Sequence, residues 1–120
     1  MSHTVQIKSQ VKDAAAVAAA CRRLGLPEPV HATVRLFRGD ATGLAVQLPG
    51  WRYPVVCDVS SGELKYDDYQ GRWGNAAQLH QFLQAYAVEA VKLQACRQGQ
   101  TATEQALADG SIRVQIVASA

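Results

Sequence analysis

The feature that most constrains this chain is a hydrophobic pattern whose period changes along its length. Recurrence at every second position suits a strand with one buried face, and recurrence at steps of three and four suits a helix. Val5, Ile7, Ser9 and Val11 alternate with Thr4, Gln6, Lys8 and Gln10, so the chain opens on a strand. Asp13 as N-cap, then Val17, Cys21 and Leu24 before Gly25 and Pro27, predict a helix over 14–24. Period 2 returns at Val30 with Ala32, Val34 and Leu36 on one face, and the run 38–43 reads as a hairpin turn.

Leu44, Val46 and Leu48 supply the return strand, stopped by Pro49-Gly50. Tyr53, Val55, Cys57 and Val59 supply the next, and Leu64 to Tyr69 a further short one. Pro54 lacks the N–H that a central strand donates, which predicts a free edge near the start of its strand. Asn75, with Gln78 three positions on, then opens a long helix on which Leu79, Phe82, Leu83, Tyr86, Ala90 and Leu93 share a face, ending at Gly99. Thr101 to Leu107, the turn 108–111, and Ile112, Val114 and Ile116 form a last hairpin. The order β-α-β-β-β-β-α-β-β predicts an α+β fold, an antiparallel sheet with two helices packed on one face. The 120 residues fit a single domain over 1–120.

Composition narrows the function by exclusion. A net charge of +2 argues against nucleic acid or an anionic membrane as the default partner. No apolar run approaches the roughly 20 residues that span a bilayer, and the start is too polar for a signal peptide, so a cytoplasmic protein is expected. Cys21, Cys57 and Cys96 are odd in number and far apart, which predicts reduced thiols rather than a disulfide framework or zinc ribbon. His3, His31 and His80 show no metal-ligand spacing, and there is no phosphate loop, dinucleotide turn or nucleophile elbow. No catalytic residue, metal or cofactor is therefore assigned.

Met1-Ser2-His3 followed by Ile7-Lys8 and Asp13, the stretch Gly62 to Tyr69, Trp73-Gly74, the run Phe82 to Glu89, and Asp109-Gly110-Ser111-Ile112 occur in order along almost the whole chain. Together they resemble the uncharacterised hypothetical chloroplast reading-frame proteins of algal plastids and their cyanobacterial and other bacterial relatives. The chain departs from many plastid members in a shortened middle and an alanine-rich first helix. The family carries no established activity, substrate or cofactor. Its members tend to be encoded beside a small companion protein and an AAA-type ATPase, so the resemblance implies an accessory role with such a protein partner.

Three surfaces are expected to compete for function. Trp51, Arg52 and Tyr53, with Arg35 and Arg38 on the neighbouring hairpin, combine the residue types most enriched at interface hot spots, which predicts a non-enzymatic adaptor that binds a protein or forms a homodimer through an open sheet edge. The structural alternative has Trp51 capping the core. Tyr66, Asp67, Asp68 and Trp73, with His80, form a second polar and aromatic group that could hold a small ligand or supply a general base. Neighbours on a strand point to opposite faces, so Asp67 and Asp68 need a bulge to share one site. Arg35, Arg38, Arg52 and Trp51 would also suit single-stranded nucleic acid, against the weak net charge.

Overall fold

The computed structural model describes residues 4–8, 11–37, 39–67 and 72–118, with 4–8 and 118 as backbone strand alone. The expectations for Met1 to His3, Ser9, Gln10, Arg38, Asp68 and Tyr69 lie outside the described residues. The elements are β1 (Thr4–Lys8), α1 (Ala14–Arg23), β2 (Val30–Leu36), β3 (Gly39–Val46), β4 (Val55–Asp58), β5 (Glu63–Asp67), α2 (Ala76–Arg97), β6 (Gln100–Ala106) and β7 (Ile112–Ala118). The fold is α+β, in the order that the hydrophobic pattern gives. Five strands form one antiparallel sheet in the order β1-β5-β4-β3-β2, and β6 with β7 forms a separate two-stranded sheet.

Two details depart from the sequence reading. The segment 38–43 is mostly strand: Leu36 pairs with Gly39, and the ladder runs on through Thr33 with Thr42 to Val30 with Ala45. Gly43 belongs inside this strand because a Cβ there would stand 2.4 Å from the Cys57 carbonyl oxygen. The side chain is absent where two backbones meet, not where the chain turns. Pro54 does not mark an edge either. β4 is central in the sheet and starts at Val55, one residue after the missing N–H.

One face of the large sheet carries the core. Val46, Val55, Cys57, Leu64 and Tyr66 meet Ala16, Val17, Ala20 and Cys21 of α1 and Leu79, Phe82 and Tyr86 of α2. Alanine lets α1 lie close on its neighbours, so a thin helix face still excludes water. The Tyr86 hydroxyl accepts hydrogen bonds from the backbone N–H groups of Lys12 and Asp13, each 3.1 Å, at the start of α1. Asp13 itself caps the Ala15 and Ala16 N–H groups and accepts from Arg97 at 2.9 Å. The Arg97 contact is the first reason that its carboxyl lies below the usual range.

The long helix has a second covered side. Val88 and Ala95 are buried and share a face at helical spacing with half-buried Gln84, while Val91 on that face stays 39% exposed. This face meets the last hairpin: the Gln84 amide donates to the Gly110 carbonyl at 3.0 Å, and Ala95 shares a groove with Ile116. The hairpin forms its own sheet because α2 already covers the large one and offers it a separate apolar stripe. Arg23 of α1 bonds Glu104 of β6 at 3.0 Å, and Lys92 of α2 bonds the same carboxylate at 2.7 Å, while both cations also face Glu89. These bonds, Arg23 first and Lys92 second, hold the Glu104 carboxyl down to about 2, against an ordinary value of 4.5.

Tyr86→Phe is expected to cost about 1–3 kcal/mol in urea unfolding, because two partly buried N–H donors lose their acceptor. Amide exchange in α1 should accelerate more than that in β4. The depressed Glu104 carboxyl stabilises the docked hairpin fully above its unfolded value, and this contribution falls away as pH drops from about 4.5 through about 2. The protection factors of β6 and β7 amides, which allow for the pH dependence of intrinsic exchange, should fall across that window in the native chain and change less in Glu104→Gln. Equal pH responses in the two proteins would remove Glu104 as the clamp.

Candidate aromatic and cationic surface

The segment between β3 and β4 sends consecutive residues to opposite sides of the sheet. Trp51 turns inward, 5% exposed, with its ring 5.7 Å from that of Tyr66 and its indole N–H 3.3 Å from the Asn75 carbonyl. It is a core residue, as the structural alternative has it, and is withdrawn from the expected contact surface. Gly74 makes the room: a Cβ there would lie 2.3 Å from the indole ring. The next residue points out, and the Arg52 N–H donates to the Trp73 carbonyl at 2.8 Å, tying this loop to the segment that leads into α2.

The bend at 52–53 also moves Tyr53 to the sheet face away from the helices. Unbroken alternation places Tyr53 with Val55 and Cys57. Instead Val55 and Cys57 join the helix-covered core, and Tyr53 packs on Leu36, Ala41, Val56 and Val34. Trp73 stands beside it at 5.5 Å between ring centroids, and Phe37 from the β2–β3 turn meets Trp73 from the other side at 5.6 Å. The Arg52 guanidinium lies 4.9 Å above the Trp73 ring and 5.8 Å from that of Tyr53. Arg52 makes no ion pair among the described residues, and Phe37 is 60% exposed. A guanidinium fixed over an aromatic face keeps its donors available while losing little rotamer freedom on binding.

The structure thus joins residues that the sequence reading kept apart. Arg52 and Tyr53, assigned to partner binding, share a surface with Trp73, assigned to the ligand alternative. Arg35 lies on β2 in the row facing away from Tyr53 and its apolar cluster, so it does not join this surface, although its strand leads into Phe37. Phe37 completes the stack and was not assigned to any site. Its signal is an aromatic side chain at the tip of a turn, where nothing in the period-2 pattern calls for burial.

Of the remaining members of the ligand group, Tyr66 and His80 lie apart. Tyr66 faces the core beside Trp51, and Asp67, next on the strand, is wholly buried. His80 is exposed and lines an open groove of about 490 Å³ with Gln84, Asp109 and Ser111. The Ser111 hydroxyl there donates to Asp109 at 2.6 Å and closes a turn. That is a turn-forming bond and does not pair the serine with a base. Cys21 and Cys57 are buried thiols, and burial pushes Cys57 up to about 12, so neither is a thiolate at neutral pH. Cys96 is exposed and likewise free. Among the described residues no cluster of His, Cys, Asp or Glu could hold a metal ion, and no helix is long and apolar enough to cross a membrane.

The fold and this surface define a small α+β protein with one sheet face not covered by its helices and an arginine stacked on aromatic rings at its margin. No protein family, curated protein or solved structure matches the chain.

Gly74→Ala is expected to expel the Trp51 ring and cost about 1–3 kcal/mol, the usual range for overpacking. Near-ultraviolet circular dichroism should lose the signal of a fixed indole, and the Arg52–Trp73 stack should loosen with it. A Gly74→Ala protein with native stability and an unchanged aromatic spectrum would show that the indole does not depend on this gap.

Proposed function

We propose that this protein is a non-enzymatic interaction module of the cytoplasm that binds a protein partner through Arg52, Tyr53, Trp73 and Phe37. The observation that carries the reading is the Arg52 guanidinium held over Trp73 at 4.9 Å without a carboxylate among the described residues, next to a largely exposed phenylalanine. Arginine and tryptophan concentrate binding energy when a partner closes over them and excludes water. The resemblance to the chloroplast reading-frame family supplies the class of partner, an AAA-type ATPase or the small companion protein encoded with it. The separation of Tyr66, in the core beside Trp51, from His80, on an open groove of α2, weakens the small-ligand or enzyme alternative. Single-stranded nucleic acid could stack on the same rings, although a net charge of +2 gives it little electrostatic attraction.

The reading is tested with tagged full-length protein and the Arg52→Ala, Trp73→Ala double variant in native extract, with direct titration of whatever is recovered. One stoichiometric protein partner, bound at least about tenfold more weakly by the double variant, is the expected result. Retention of oligothymidylate with a steep salt dependence, and no protein partner, would transfer the surface to nucleic acid.

A further inference from the structure

β2 is the outer strand of the large sheet, so one of its flanks leaves alternate N–H and C=O groups without a sheet partner. Edge strands are ordinarily blunted by lysine, proline, a bulge or a covering element. Val30–Leu36 contains no lysine and no proline, and all seven of its residues pair in unbroken register with β3. Its unbroken register leaves a continuous template for another strand.

The two rows of side chains on this template differ in chemistry. Val30, Ala32, Val34 and Leu36 point to the open face, with Val30 62% exposed, and their row leads into Phe37 and the Trp73 stack. His31, Thr33 and Arg35 occupy the other row and are all exposed. Arg35 faces Asp40 across the ladder, yet the two form no ion pair, and the Thr33 hydroxyl is taken by Thr42 at 2.8 Å.

We propose that the free edge of β2 takes up an extended acidic segment of the partner as a sixth strand, with carboxylates toward Arg35 and apolar side chains along Val30, Val34 and Phe37. This inference rests on the interaction reading above and names the chemistry of the partner. Strand addition draws affinity from the backbone ladder and specificity from alternate side chains. A second copy is a poorer occupant: antiparallel self-pairing centred on Thr33 sets Arg35 against His31, with no carboxylate in either strand. Nucleic acid could meet the arginines but offers no alternating amide row to the strand edge.

The test titrates blocked peptides about nine residues long, one alternating Glu with Val and one alternating Lys with Val, into isotope-labelled full-length protein. The Glu–Val peptide is expected to shift and protect amides over 30–37, and to bind about tenfold or more weakly to Arg35→Glu. The Lys–Val peptide should show the reverse preference. Val30→Lys, at a position already exposed, provides a second variant that keeps the fold and should weaken both peptides. Equal binding of the Glu–Val peptide to native protein and Arg35→Glu, or shifts confined to Trp73, would overturn strand addition. A dimer in sedimentation that Val30→Lys dissolves would give the edge to a second copy instead. If a cellular partner needs Arg52 and Trp73 but is indifferent to Arg35→Glu and Val30→Lys, strand addition falls and the interaction reading stands. If the peptides bind as expected and no partner needs Arg52 and Trp73, strand addition stands and the stack loses its role.

Discussion

The seating of Trp51 over Gly74 is the contact on which the rest of the surface depends. A large indole turned into the core needs a position without a side chain, and Gly74 supplies it on the segment that leads into α2. Once Trp51 is seated, the next N–H reaches the Trp73 carbonyl, and Arg52 is left on the outside above the Trp73 ring. One buried aromatic contact thus fixes both the closure of the core and the display of a cation, and neither residue can be moved without disturbing the other.

The two sides of the sheet serve different ends. The helix-covered side is a core of modest side chains, in which alanine on α1 keeps the layers close and the Tyr86 hydroxyl satisfies the N–H groups at the helix start. The open side has a smaller apolar cluster, finished by Tyr53 and by the aromatic stack. The last hairpin lies on α2, and its attachment combines a narrow apolar stripe with ion pairs that Arg23 and Lys92 make to Glu104. Partly exposed ion pairs of this kind are weak singly, so a shared carboxylate matters more than any one distance.

Several carboxylates and hydroxyls that look chemically promising in isolation are spent on local geometry. Asp58 accepts from the Ser60 N–H and hydroxyl, and Asp109 does the same with Ser111, so each closes a turn. The buried thiols are held in the protonated form by desolvation. Among the described residues, a cation stacked on aromatic rings is gathered where the end of β2, the β3–β4 loop and the segment before α2 converge.

The sequence by itself determined the elements and their order, because period-2 and helical spacing are local and each is enforced by burial of one face. It also determined the core faces of α1 and α2 and the capping roles of Asp13 and Asn75, which depend on neighbours a few positions away. Only the tertiary structure decided that Gly43 lies within a strand, since the reason is a backbone from β4 pressed against it. It alone separated Trp51 from Tyr53, because a bend at 52–53 breaks an alternation that the spacing of the residues implies. The gathering of Phe37, Arg52, Tyr53 and Trp73 was illegible for the same physical reason. Residues far apart in the chain meet only when sheet register and a buried indole set the loops side by side, and spacing along a chain does not encode that distance.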